Sequence, residues 1–240
     1  MHTEPLTRFL HGWRRFLLPP RCLLCSASGA NGVDLCADCN TELPRNPVCC
    51  RRCALPLAAP AELCGECQRR LPAWDAAWAP FRYGWPLDRL ESRYKFSADL
   101  AAGRVLSTLW QREPRAIALP QLLLTVPLHR HRLRQRGYNQ ALELARPLAR
   151  GLGVPLRREA LHRLRPTDAQ TELDAVGRRK NVRGAFALRA GISLPAHVAI
   201  LDDVMTTGAT LAECTRVLRR AGVQRIDVWA LARAPSPRGK

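Results

Sequence analysis

The chain has 240 residues, 47% hydrophobic and 6% aromatic, with 38 Lys and Arg against 20 Asp and Glu for a formal net charge of +18. That content supports a real core plus one small extra module. No apolar run approaches the roughly 18 residues that span a bilayer, and the N-terminus lacks the continuous apolar region of a secretory signal, so a cytoplasmic protein is expected. Residues 1 to 75 hold 9 basic and 7 acidic side chains, leaving 29 and 13 downstream, so the positive field that would steer a phosphate-rich partner belongs to the C-terminal part. Only three of the 38 basic residues are Lys, and a general Arg bias accounts for much of the excess.

In chain order, Leu6, Phe9, Leu10, Trp13, Phe16 and Leu17 recur at helical spacing with Arg8, His11, Arg14 and Arg15 on other faces, which predicts an amphipathic helix within residues 1–20. Its apolar stripe is expected to pack on the next module; peripheral contact with an anionic membrane surface is the alternative. Residues 21–73 then carry four C-x-x-C pairs, Cys22/Cys25, Cys36/Cys39, Cys50/Cys53 and Cys64/Cys67, and a shift of 28 residues superposes the first two pairs on the second two. Leu35, Leu43 and Pro44 recur as Leu63, Leu71 and Pro72, so the whole unit is duplicated. Paired C-x-x-C turns present thiolates tetrahedrally, which suits structural Zn²⁺, and two four-cysteine zinc ribbons are expected. Disulfides and an iron–sulfur cluster are the competing readings. Cys49 is a possible substitute for Cys50, and the eight ligands fit sequential or interleaved pairing.

From Trp74 onward, to about 234, apolar and helical segments alternate. The expected order is an apolar segment over Ala76–Tyr83, helices around Leu87–Lys95 and Leu100–Trp110, a strand over Leu122–Val126, and a helix over Asn139–Arg150. A strand near Glu159–Leu161, a polar loop over Arg163–Arg183, a strand over Val198–Leu201, a helix ending at Ala221 and a strand over Ile226–Leu231 complete it. Such alternation predicts an α/β domain with a mostly parallel sheet flanked by helices. Residues 235–240 read as a frayed tail. Cys214, in step with Val217, Leu218 and Ala221, reads as packing.

The stretch Val198–Leu211, VAILDDVMTTGATL, is the most informative. A continuous apolar run suits a central parallel strand, and ligands of open α/β sheets bind at the carboxyl end, where Asp202 and Asp203 stand. Thr206, Thr207, Gly208, Ala209 and Thr210 then offer hydroxyls and amides at a helix start, a setting suited to a phosphate. The plain alternative is a capped strand-to-helix turn with solvated acids. The loop lacks the Lys and spacing of a nucleoside-triphosphate P-loop. It resembles the 5-phosphoribosyl-1-pyrophosphate (PRPP) motif of type I phosphoribosyltransferases, two acids followed by T-T-G-x-T, which implies that Asp202 and Asp203 face ribose hydroxyls and act in catalysis while residues 206–210 cradle the phosphate.

Two further segments extend the resemblance: Pro127–Gln140, PLHRHRLRQRGYNQ, and Arg163–Phe186, with its T-x-x-Q and R-x-x-N elements. With the cysteine pairs, these make the chain similar to the ComF family (ComF/GntX-like), type I phosphoribosyltransferase-like proteins with an added zinc ribbon, associated with bringing single-stranded DNA into the cytoplasm. The resemblance implies PRPP with Mg²⁺ as ligand, single-stranded DNA as partner, and a DNA-import helicase or channel protein as a further one. It places a pyrophosphate loop after the strand ending at Val126, with Arg130 as first phosphate candidate, and makes the polar loop from Arg163 a lid containing Thr167, Gln170, Arg178 and Lys180. Arg178 and Lys180 would neutralise pyrophosphate. Arg93 and Lys95 of the RYKF segment are second-rank phosphate candidates, with core packing of Tyr94 and Phe96 the alternative. Thr206 stands where 6-oxopurine transferases carry Asp, which disfavours purine salvage. Three functions follow: transfer to an unidentified acceptor, DNA handling with PRPP as ligand or regulator, and a zinc-ribbon adaptor.

Overall fold

The computed structural model describes residues 19–115, 117–166 and 175–235, without the side chains of Ala175, Val176, Arg178 and Arg179. The expected N-terminal helix, Thr167 and Gln170 of the expected lid, the Arg178 side chain and most of the C-terminal tail lie outside the described residues.

Five parallel strands form the main sheet. β1 (Ala76–Trp78) and β2 (Phe81–Arg82) pair successively with β7 (Arg225–Arg233), which pairs with β6 (His197–Met205), and β3 (Leu122–Thr125) forms the far side. Alternation along the strands sorts the side chains into two cores. Leu123, Ala199, Leu201, Trp229 and Leu231 pack with α3 (Leu87–Phe96), α4 (Leu100–Arg112) and α6 (Gln140–Leu152), whereas Leu124, Val198, Ile200, Val228 and Ala230 pack with α8 (Ala209–Arg220). Burial on both faces explains why these strands read as unbroken apolar runs.

The ribbons contain short helices, α1 (Ala37–Thr41) and α2 (Gly65–Arg69). The first ribbon joins the α3, α4 and α6 core through Val33, Leu35 and Leu43; the second meets the opposite core through Ala54 and Cys53. Arg93 ties the first ribbon down by donating to the Leu23 carbonyl while its guanidinium lies 2.7 Å from Asp99. In this arrangement it links the first ribbon to the helical layer.

The structure corrects four expectations. β6 does not stop at Leu201: Asp202 pairs with Ala230 and Met205 with Arg233, so the acids lie on the strand. The segment after β3 is not an open loop but the helix α5 (Arg130–Arg136), capped by His129 and by Gly137 at φ +80°. Arg, Gln and Leu are good helix formers, and both ends are capped. The polar stretch from Arg163 begins at the end of β4 (Leu161–Arg163) and ends in α7 (Ala175–Val182), whose Val182 is fully buried. β4 pairs antiparallel with an unpredicted strand, β5 (Phe186–Leu188), in a separate small sheet.

Gly208 connects β6 to α8 at φ +70°, and a Cβ there would lie 2.7 Å from Cη2 of the buried Trp74. Left-handed backbone and close approach both demand glycine. Gly208→Ala is expected to destabilise the protein by about 1–3 kcal/mol, the scale of one forced backbone strain, measured as a lower urea midpoint at unchanged slope.

Candidate functional site

The duplication seen in the cysteine spacing is repeated in the backbone. Cys22 N–H donates to Ala27 and Ser26 N–H to Cys22, just as Cys50 N–H donates to Leu55 and Ala54 N–H to Cys50. Ser26 and Ala54 both have positive φ, and Cys36 and Cys64 are the N-caps of α1 and α2. Each unit thereby brings four sulfurs together, Cys22, Cys25, Cys36 and Cys39 in one and Cys50, Cys53, Cys64 and Cys67 in the other, all within 4.8 Å of one another. The pairing is sequential. Cys49 lies outside both groups.

Tetrahedral zinc with 2.3 Å bonds to sulfur holds its ligands about 3.8 Å apart. Cys25 and Cys36 are separated by 3.6 Å, as are Cys53 and Cys64. These distances fit a shared ion and are far longer than a disulfide bond. Both groups are therefore structural Zn²⁺ sites. Cys214 is fully buried on α8 and has no place in either.

At the carboxyl edge of the sheet, β6 delivers the acid pair. Asp202 Oδ1 accepts from the Asp203 amide at 2.9 Å, and Asp203 Oδ1 accepts from the Val204 amide at 2.6 Å. The other Asp203 oxygen lies 3.1 Å from Lys95 Nζ, which reaches across from α3 and also lies 2.8 Å from Glu91. Glu91 is a carboxyl the sequence reading missed. Its signal was the i, i+4 spacing to Lys95, although such pairs are usually solvated, and this one is buried.

Three carboxyls around one ammonium cannot all be charged cheaply. Burial and the Asp203 charge push the Asp202 carboxyl up to about 8. The Glu91 carboxyl is pushed up to about 7 by burial and Asp203, against the pull of Lys95. Burial also opposes ionisation of Asp203, but the Lys95 ammonium outweighs it and holds that carboxyl low. Lys95 itself, though desolvated, is raised by Asp203 and Glu91. At neutral pH the edge is consequently an Asp203–Lys95 ion pair flanked by a mostly protonated Asp202.

The hydroxyl-rich turn follows directly. Thr206, Thr207 and Thr210 are partly exposed, Gly208 and Ala209 are buried, and Thr207 Oγ1 accepts from the Ala209 amide at 3.4 Å. A second unpredicted residue fixes this turn. Arg233, buried at the end of β7, donates to the carbonyls of Met205 at 3.1 Å, Thr206 at 2.6 Å and Cys53 at 2.9 Å. It binds the turn to the second ribbon.

The remaining candidates are scattered. Arg130 is exposed at the start of α5, Lys180 is exposed on α7, and neither forms an ion pair with the aspartates among the described residues. The R-G-Y-N-Q box serves mainly to join elements. Tyr138 Oη donates to the Tyr94 carbonyl, Asn139 Nδ2 to the Val126 carbonyl at 3.0 Å, and Tyr94 Oη to the Gln140 carbonyl at 3.1 Å. Tyr94 is core, as the packing alternative held; Phe96 is 72% exposed.

A double zinc ribbon joined to a parallel α/β sheet with an acid pair and a hydroxyl-rich turn at its edge defines the class. Residues 13–68 match the family model described as the double zinc ribbon domain. The chain is 36% identical over 225 residues to Competence protein F of Haemophilus influenzae, an alignment covering 89% of this chain and 97% of that protein. It is 34% identical over 223 residues to DNA utilization protein YhgH of Escherichia coli O157:H7, covering 90% and 98%. Competence protein ComFC of Streptococcus pneumoniae is 26% identical over 156 residues, 65% of this chain and 67% of that protein. The chain belongs to the ComF family.

Two measurements follow. Elemental analysis should find two zinc ions per chain, one per sulfur group, and Cys36→Ser should remove one; because protons compete for thiolates, zinc retention should weaken as pH falls. Carboxyl ¹³C resonances should show Asp202 titrating near 8. Asp203→Asn removes the neighbouring negative charge and should move that midpoint down; an unchanged midpoint would mean that the two carboxyls do not interact.

Proposed function

We propose that this protein is phosphoribosyltransferase-like, holds PRPP with Mg²⁺ at the carboxyl edge of the sheet, and serves natural competence or the use of single-stranded DNA. The observation that carries the reading is the succession of Asp202 and Asp203 on β6, the left-handed Gly208, and the start of α8. Amides and hydroxyls over residues 206–210 suit a terminal phosphate, with the positive end of α8 behind them. Asp202 and Asp203 accept from the ribose hydroxyls and stabilise positive charge developing on the sugar ring. Lys95 already lies against Asp203. Arg130, Arg178 and Lys180 complete the pyrophosphate contacts.

Mg²⁺ binds hard oxygen ligands and takes most of them from phosphate, ribose and water, and its charge would draw the retained proton off Asp202, so the acid pair fits it without a dedicated cage. When bound it neutralises pyrophosphate charge. Thr206, in place of an acid that would assist a purine, favours binding over purine transfer; turnover on another acceptor is a second reading. The relatives named for competence and DNA utilization support the DNA role. No helix among the described residues is long and apolar enough to cross a membrane; the proposed place of action is the cytoplasm, at the inner face of the membrane. A DNA-import helicase or channel protein is the expected protein partner.

Calorimetry with Mg²⁺ and PRPP should give a binding heat that the Asp202→Asn, Asp203→Asn double variant loses. Equal heats in variant and parent would remove those roles. Affinity for single-stranded DNA should fall steeply as salt rises, since bound phosphates release counterions.

A further inference from the structure

We propose that α5 and the exposed ring of Phe96 form the single-stranded nucleic-acid face of this protein, with one unpaired base stacking on Phe96 and the adjoining phosphates on Arg134 and its neighbours. The proposal rests on the DNA reading above and gives it a location.

Three observations point there. First, α5 has no buried residue, although it is capped at both ends; a helix that contributes nothing to either core presents Arg130, Arg132, Arg134 and Arg136 without one acidic residue among them. Arg134, exposed and three residues beyond His131 on this helix, forms no ion pair among the described residues, whereas acidic neighbours hold Arg45, Arg93, Arg146 and Arg216. Second, Phe96 closes α3 with 72% of its surface exposed, an unusual place for a large apolar ring. The Arg136 guanidinium covers it from one side at 5.7 Å from the ring centre and is steadied by a 3.3 Å bond to Gln140 Oε1. With 72% of its surface exposed, most of the ring is uncovered among the described residues. A flat ring backed by a fixed cation is the arrangement on which a base stacks.

Third, position selects the occupant. Cationic residues alone would suit an acidic protein segment or duplex DNA equally well. The open aromatic face has use only for a planar, unstacked group, which a duplex does not offer and an acidic peptide lacks. Lys95 immediately precedes Phe96 and reaches Asp203, so the strand would run beside the phosphoribosyl edge without covering it.

The test uses the full-length, zinc-loaded protein and fluorescein-labelled oligodeoxythymidylate, with affinity followed by anisotropy across a salt series. Phe96→Ala should weaken binding about 5- to 150-fold, the range for losing one base stack, and leave the salt slope unchanged. Arg134→Gln should weaken binding and lower the salt slope by about one, as for one lost phosphate contact. Both variants should keep the parent's zinc content and Mg²⁺–PRPP heat, since neither residue belongs to those sites. Parent-like binding by both variants would overturn this face while leaving the DNA reading intact. No binding by the parent would overturn both. Equal loss on duplex DNA with Phe96→Ala, or displacement by polyglutamate as effective as by unlabelled oligonucleotide of equal charge, would overturn base stacking on Phe96.

Discussion

The pairing of β6 with β7 over nearly their whole length governs the rest of this molecule. Both strands outrun their neighbours. The shared ladder, continued to Met205 opposite Arg233, carries Asp202 and Asp203 to the carboxyl edge of the sheet while keeping their backbone fixed. A flexible loop bearing two acids would splay them apart by repulsion. Strand geometry instead turns the two side chains toward opposite faces of the sheet while their charges still interact, and the cost appears as a raised Asp202 carboxyl. The turn that follows inherits the same rigidity, because its first carbonyls are held by a residue of the partner strand.

Charge at the edge is balanced locally. An acid pair beside a proposed phosphate cradle would repel its ligand if fully ionised. Lys95 resolves the conflict from α3: it neutralises Asp203, while the Asp202 carboxyl is held up to about 8. The overall excess of arginine matters less than this one lysine for the chemistry of the edge. The arginines act elsewhere, some as ties between modules and some, on α5, facing water.

How much of this was legible in the sequence depended on whether the governing interaction was local. The central strands could be read because burial on both faces leaves an unbroken apolar run, and the ribbons because metal ligation fixes spacing. The last residues of β6 could not: Asp202 to Met205 look like a loop until the non-local partner strand is in place. α5 carries no apolar stripe, so its helical character rests on propensity and caps that periodicity does not register. β5 is too short to show a pattern. Glu91 reads as half of an ordinary surface pair, and its burial is decided by the sheet edge across from it. Arg233, in the sequence a basic residue near a frayed end, becomes a keystone only when Cys53 arrives from 180 positions away.

That keystone has a consequence for how the two halves of the chain depend on each other. Its guanidinium has no acidic partner among the described residues; it is satisfied by main-chain oxygens drawn from the metal-bearing turn and from the hydroxyl-rich turn together. Cutting away the second ribbon would not leave a smaller, intact sheet domain. It would uncover the guanidinium and remove its bond to the Cys53 carbonyl, loosening the hold on the main chain that leads into α8. The zinc module is in this sense scaffolding for the turn it touches at the end of the sheet.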